Sequence, residues 1–381
     1  MKNFYFLTLV ATTFFFACSS PDKTESKQNS SQASNEWELQ IMDSIQVDYL
    51  GNISTGDFKD GLGLLFDYTT TSLIKIDYDG KVLATQTYPK DGPNSISFIN
   101  TVKFDPNGNP YIGHYRGDYF ELNEDLSIKR RIEMPFQSQS FGGLMDDKSF
   151  EFWEDKIIFH YPGRDEVSPY TETYLRDNFL LEKLNPSTGE SSPLIRTPET
   201  SKFSTGLLYE RPTISIEISE NDLLLYFNNE PKIHKYSLLD SGKFIETIDI
   251  QPENFIQAPE LKDKTERYSY ERLVEGNIYG VFLDKDQIVV HYSEGISEDV
   301  FSTHEFTFPE DFPKLIELNL SYFKIYDTKK GWSNEIPIPK EIDKIFAMED
   351  PTQPFFALRN DEYLGEEQDY LTFYKLQLAQ K

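Results

Sequence analysis

Cysteine is almost missing from this chain. The single one, Cys18, excludes an internal disulfide framework, and with five histidines in 381 residues no Cys/His spacing forms a zinc knuckle or finger. Positive charge is scarce too: 37 Lys and Arg stand against 64 Asp and Glu, a formal net charge of -27, and the densest basic cluster is Lys129-Arg130-Arg131. Such a surface repels a phosphate backbone, which excludes DNA and RNA as partners. Long apolar runs are also lacking. The one candidate, Phe4 to Phe16, is interrupted by threonines and falls short of the roughly 20 residues that span a bilayer. No G-x-S-x-G elbow, H-E-x-x-H pair or phosphate-cradling glycine loop occurs. A carboxylate pair assembled from distant segments would leave no linear motif, so this last absence weighs only lightly against an enzyme.

What is present begins with an export leader. Lys2 supplies a positive start, Phe4 to Phe16 an apolar core, and Ala17 the small residue before a cleavage point. "FFAC" resembles the bacterial lipobox, in which the cysteine is acylated and becomes the new N-terminus; Phe15 stands where Leu is usual. Residues 1–17 are therefore expected to be a lipoprotein signal peptide and Cys18 a lipid attachment point, placing the protein in the cell envelope, most simply at the outer membrane. Residues 18–36, "CSSPDKTESKQNSSQASNE", bury too little apolar surface to fold and form a flexible tether. The folded part, 37–381, begins near Trp37.

From there the composition leans towards β structure. There are 30 Phe and 23 Tyr, and short apolar runs alternate with turn signals such as "DYDGK", "DPNGNP", "NPSTGE" and "DTKKG". "PKLIELNLSYFKIYD" alternates Ile316, Leu318 and Leu320 with Glu317, Asn319 and Ser321, the mark of a strand with two faces. A weak repeat emerges. Second strands end in "LLFDY", "YIGHY", "IIFHY", "LLLYF", "IVVHY" and "FFALR", each followed by a third strand: "LIKIDY", "YFELN", "LLEKLN", "IHKYSL", "YFKIYD" and "LTFYKLQL". Six such units predict an all-β fold, a six-bladed β-propeller of four-stranded antiparallel blades. The last unit is one strand short, and "WELQIMDSIQVDYL" at the start is one strand over. Pairing them would close the ring and remove its open edges.

Six repeats over about 340 residues exceed the usual ~40 to 50 per blade, so insertions are required. Two stand out, Pro162 to Asn178 and Ser293 to Leu315, both between second and third strands, in blades three and five. Those loops and the connections between blades open on one face of a propeller, while the other face carries minimal turns. The elaborated face is the expected binding surface.

With the lipobox and the aromatic repeats in view, the chain resembles the lipid-anchored six-bladed propeller lipoproteins of Bacteroidota-type bacteria, a family of unknown function. "YPKDGPNSISF", Tyr88 to Phe98, is similar to that group's Gly-Pro loop between the first two blades. The resemblance implies fold and location more than chemistry.

Three His-Tyr pairs, His114-Tyr115, His160-Tyr161 and His291-Tyr292, end second strands in three blades. A shared metal would need its donors about 2 Å from one centre, which strands of different blades do not offer, so packing is expected. "DPNGN" and "DYDGK" lack the twelve-position calcium pattern and read as hairpin turns. No cofactor is predicted; calcium elsewhere is left open by the many carboxylates. On the elaborated face the candidate ligand-binding residues are Asp91 and Asn94 of the Gly-Pro loop, Arg116 and Asp118 of "RGD", Arg164 and Asp165, Arg211, and Arg359 and Asp361. Arginines there can fork onto carboxylates or phosphates; the plain reading is that they pin loops by pairing with neighbouring acids.

Two functions follow. The first is a monomeric envelope binding or scaffold propeller that engages a protein, peptide or glycan through its loop-rich face. The second is an envelope enzyme, a glycan-active hydrolase or a metal-dependent lactonase, working at the central channel. The latter rests on analogy between propellers.

Overall fold

The computed structural model describes residues 35–381 apart from 90, 93–94, 97–98, 115–117, 138–149, 263–273, 285, 305, 307–310, 347, 349–352 and 367. Cys18, the leader and nearly all of the tether lie outside the described residues.

Strand β1 (Trp37–Val47) opens the chain. Blade one follows as β2 (Ile53–Lys59), β3 (Leu62–Asp67), β4 (Ser72–Asp77) and β5 (Val82–Thr87); blade two as β6 (Ile99–Phe104), β7 (Pro110–His114), β8 (Tyr119–Leu122) and β9 (Ile128–Ile132). Blade three is β10 (Phe150–Trp153), β11 (Lys156–His160), β12 (Phe179–Leu184) and β13 (Ser191–Arg196), with α1 (Tyr174–Asp177) between its second and third strands. Blade four is β14 (Ile214–Ser219), β15 (Asp222–Phe227), β16 (Lys232–Ser237) and β17 (Lys243–Asp249). Blade five has β18 (Asn277–Asp284), β19 (Gln287–Ser293) and β20 (Ser321–Asp327), with α2 (Glu298–Ser302) and α3 (Phe312–Leu318) between the last two. Its outer strand comes in two pieces, β21 (Gly331–Trp332) and β22 (Ile336–Pro337), both on β20. Blade six is β23 (Ile342–Ile345), β24 (Phe355–Arg359), β25 (Leu371–Gln380) and, as its outermost strand, β1; α4 (Asp361–Leu364) follows β24.

The expected six-bladed propeller is thus present, and so is its closure. β1 pairs antiparallel with β25 from Trp37 opposite Gln380 to Val47 opposite Leu371, interrupted by one bulge. The two ends of the domain share one sheet, so opening the ring requires breaking a whole strand pairing.

Runs such as "LLLYF" show little alternation because second strands are buried on both faces. On β15, Leu223, Leu225 and Phe227 face blade three while Leu224 and Tyr226 face blade five. On β3, Leu64 and Phe66 face blade two and Leu65 faces blade six. The core is therefore six clusters, one between each pair of neighbouring blades. Each buried Leu or Phe there contributes roughly 1.5–3 kcal/mol.

The plain face is built from self-satisfied turns. The Asp105 carboxylate accepts from the N–H groups of Asn107 and Asn109, both at 2.8 Å, and Gly108 takes φ 81. Asp77 does the same for Asp79 and Lys81, and at Gly80 (φ 87) a Cβ would sit 2.3 Å from the Gln46 carbonyl oxygen. "DPNGN" and "DYDGK" are hairpin turns whose carboxylates serve their own backbone.

One local reading is corrected. "PKLIEL" is not strand: it forms α3, and β20 starts only at Ser321. Alternation over so few residues also suits a short helix, and Pro313 in the first turn is the helix-start signal that decides it. The blade-five insertion consequently runs on to Leu320.

Candidate functional site

At or next to the start of each innermost strand stands an apolar residue followed by a side chain that is not aliphatic: Ile53-Ser54, Ile99-Asn100, Phe150-Glu151, Ile214-Ser215, Ile278-Tyr279 and Ile342-Asp343. The apolar members are buried, each in a different interblade cluster. In four blades the next residue is skipped by the pairing register. Ser54 is passed over between Ile53 and Thr55, Asn100 between Ile99 and Thr101, Tyr279 between Ile278 and Gly280, and Asp343 between Ile342 and Lys344. These are β-bulges, which free one residue from the ladder and re-aim its side chain. Blades three and four pair without this irregularity.

All four bulged residues line one cavity of about 590 Å³ in the middle of the ring. The bulged blades, five, six, one and two, are consecutive, so the cavity is lopsided towards that arc. Its mouth is on the elaborated face, because Glu317 and Asn319 of the blade-five insertion and Asn360 and Tyr363 of the loop after β24 also line it. The blade-three insertion does not contribute to it.

The walls are held by ties between innermost strands. Lys344 donates to the Ser54 carbonyl, Asp57 accepts the Phe104 N–H at 2.7 Å, and Lys103 pairs with Glu151 and donates to the Phe150 carbonyl at 3.2 Å. The Tyr279 hydroxyl accepts from Ser293, whose hydroxyl accepts from Asn319, and the Tyr279 ring lies 5.0 Å from that of His291. Asn360 caps α4 by accepting the Tyr363 N–H at 3.0 Å and donates to the Lys340 carbonyl at 3.1 Å, which fixes Tyr363 at the mouth.

Among the described residues, the Thr55 hydroxyl, the Asn100 and Asn277 side-chain carbonyls and the Lys340 ammonium make no hydrogen bond to the protein, although all four atoms are buried. Thr55 is 2% exposed. Buried polar groups are normally paired, and each unmet one costs about 1–3 kcal/mol. Four such atoms belong to residues that line one cavity.

Burial pushes the His291 imidazole down to about 3, so it is neutral at physiological pH. Burial also raises the Asp343 carboxyl, with Lys344 opposing and Glu362 adding to the rise. Asp343 reaches the cavity's solvent yet is walled by protein, which is why it is both accessible and desolvated. Desolvation lowers Lys340, and the Glu317 charge partly restores it.

The described ones among the residues singled out from the sequence lie elsewhere on the same face. Arg164 forks onto Glu182 at 2.6 and 2.5 Å and also donates to Ser191. Asp165 follows it, exposed, with φ 56. Asp118 accepts from Arg131 at 2.6 Å, Arg359 pairs with Asp361 at 3.3 Å and with Glu366, and the Arg211 guanidinium stands 5.0 Å from the Tyr170 ring. Asp91 is exposed; Asn94 and Arg116 lie outside the described residues. None of the described ones lines the cavity. Of the His-Tyr pairs, His160 bonds the Leu180 carbonyl at 2.7 Å, Tyr161 donates to the Phe136 carbonyl, and His291 packs on Tyr279 and Phe323. Tyr115 lies outside the described residues. The cavity residues carry a fainter sequence pattern than the second and third strands, whose apolar runs are longer. Their signal is the repeated pair of an Ile or Phe and a non-aliphatic residue at or next to the start of first strands.

Among solved structures the fold is similar to a member of the DUF4221 family from Bacteroides vulgatus, with TM-score 0.66 and 12% identity over 91% of this chain and 100% of that one. It is also similar to a protein described as exported from Bacteroides fragilis, with TM-score 0.57 and 13% identity over 92% of this chain and 96% of that one. At these identities the likeness establishes the propeller fold. No protein-family model matches the chain, and no curated protein sequence matches it.

Proposed function

We propose that this protein is a cell-envelope binding propeller whose ligand enters the central cavity from the elaborated face. The observation that carries the reading is the coincidence of four β-bulges with the cavity wall. Bulges weaken pairing and persist where they aim a side chain at a function. Replacing Asn100 with Trp would fill the cavity from its wall. The full chain should then lose whatever small molecule or chain end it retains from an envelope extract, read by native mass spectrometry. Equal retention by N100W would sink the reading.

The anchor is the second part of the proposal. Cys18 follows an apolar leader and a small residue and precedes a polar tether, the arrangement a lipidated N-terminus needs. The export that its Bacteroides fragilis neighbour's description names fits the same location. Labelled palmitate should be incorporated into the full chain and not into Cys18→Ser, and C18S should leave the membrane fraction. Incorporation into C18S would refute the anchor. The rim residues Asp91, Asn94, Arg116, Asp118, Arg164, Asp165, Arg211, Arg359 and Asp361 would, in this reading, contact the outer part of a large ligand or its carrier.

A glycan-active hydrolase is a second reading, favoured by the raised Asp343 carboxyl in the same cavity as Glu317. A carboxyl whose pKa is raised by burial, in the same cavity as a second carboxylate, suits general acid work. Release of reducing ends that disappears in Asp343→Asn would establish it.

A further inference from the structure

The cavity wall also restricts what the ligand can be, an inference that rests on the binding reading above. We propose that the cavity takes the end of a neutral oligosaccharide, held by the Asn100 and Asn277 side-chain carbonyls, the Thr55 hydroxyl and the Lys340 ammonium, with Tyr279 and Tyr363 against its sugar rings.

The first ground is hydrogen bonding. Two amide oxygens can only accept, an ammonium can only donate, and a hydroxyl does either. All four atoms are buried and unmet within the described protein. A partner must offer donors and acceptors side by side at short spacing, which is what adjacent sugar hydroxyls do.

The second ground is charge. The lining holds three carboxylates, Asp57, Glu317 and Asp343, and three ammonium groups, Lys103, Lys340 and Lys344. Most are already engaged. Lys103 is paired with Glu151, Lys344 with the Ser54 carbonyl, and Asp57 with the N–H groups of Phe58 and Phe104. Over the lining as a whole the three charges of each sign balance, and the surrounding chain at -27 repels anions. An anionic ligand would meet no matching field here.

The third ground is shape. Tyr279 and Tyr363 are 44% and 48% exposed at the mouth; Ser293 and His291 hold the Tyr279 ring, and the Asn360 cap fixes the Tyr363 backbone. Flat rings beside polar groups give large contact area, and pre-positioning, as at Tyr279, lowers the entropic cost. A cavity of about 590 Å³ is of small-ligand size and admits a chain end rather than a whole polymer.

The test uses the full chain in detergent and titrates cellohexaose, xylohexaose, mannohexaose and maltohexaose, with hexagalacturonate as the acidic counterpart and a pool of random decapeptides. The expected result is binding of at least one neutral hexasaccharide, unchanged between roughly 0.05 and 0.5 M sodium chloride, where exposed charges are screened. Asn100→Ala, Asn277→Ala and Tyr279→Ala should each weaken it about ten-fold or more, while their thermal midpoints show that they fold. If no neutral hexasaccharide binds, the proposal is overturned. Binding of hexagalacturonate alone, collapsing with salt, overturns it as well. Binding of decapeptides alone, lost in N100A, overturns the carbohydrate and keeps the cavity as the site. Saccharide binding indifferent to all three substitutions overturns the cavity reading itself.

Discussion

The side-chain amide of Asn334 holds the backbone of Trp37 from both sides: its Oδ1 accepts the Trp37 N–H at 2.7 Å and its Nδ2 donates to the Trp37 carbonyl at 3.0 Å. Asn334 sits in the break between β21 and β22, so the interruption in blade five's outer strand supplies a substitute peptide group for the first residue of β1. The residue that begins ring closure is thereby tied to the neighbouring blade as well as to β25. Asn334→Ala should lower the urea midpoint by the equivalent of about 1–3 kcal/mol, with an unchanged denaturant slope. No change in midpoint would mean that the β1–β25 ladder closes the ring unaided.

Lys103 and Glu151 join blades two and three at the innermost strands, 12% and 13% exposed. Removing one member of a nearly buried pair strands the other, at a cost of about 3–5 kcal/mol. Lys103→Met is therefore expected to destabilise strongly, and the double variant with Glu151→Leu to recover most of the loss. A double-mutant cycle by chemical denaturation measures this. Additive effects would show that the pair is not coupled.

Stability should fall on acidification in two stages. Burial depresses His160 from 6.5 to about 4, although its bond to the Leu180 carbonyl opposes the shift. The unfolded chain then binds the proton first, so this contribution is complete above pH 6.5 and is lost as pH falls towards about 4. Glu230 follows. Burial would raise its carboxyl, but the His234 imidazole 3.6 Å away and hydrogen bonds from the Lys202 N–H and the Ser201 hydroxyl outweigh that and hold it below the ordinary 4.5. Its contribution is present above that range and disappears as pH drops through the folded value. Thermal midpoints of His160→Gln should lose part of the upper slope, the rest belonging to His291, which burial depresses to about 3, and those of Glu230→Gln should lose the lower one. Wild-type midpoints that stay level from pH 7 to 5 would contradict the first assignment.

The cavity polar atoms should be dispensable for folding. The Thr55 hydroxyl and Asn100 carbonyl make no bond to the described protein, so replacing them removes an unmet group and no native hydrogen bond. Thr55→Val and Asn100→Ala are expected to leave the thermal midpoint equal or slightly higher. Lys344→Met, which cuts the tie to Ser54, should lower it. A drop of several degrees in T55V would show that the hydroxyl serves the fold rather than a ligand.

Much of the architecture was legible because it is written in local patterns. Aromatic-ended apolar runs followed by Asp- and Gly-rich turns mark the middle strands of each blade, and "WELQIMDSIQVDYL" is legible as the closing strand because the last unit lacks one. "PKLIEL" was not, since a few alternating residues fit a strand or a helical turn equally well. The rim arginines were legible as charges. That Arg164 and Arg359 end on Glu182, Asp361 and Glu366 is a matter of which acids the folded loops bring near.

Sequence alone determined that this chain alternates short strands with tight turns in six units, since hydrophobic period and turn chemistry act over a few residues. Tertiary structure decided where the cavity is. A bulge is a mismatch in register between two strands, and Ser54, Asn100, Tyr279 and Asp343 share a wall only because ring closure brings blades five, six, one and two together about one axis. Neither register nor closure belongs to any single stretch of sequence.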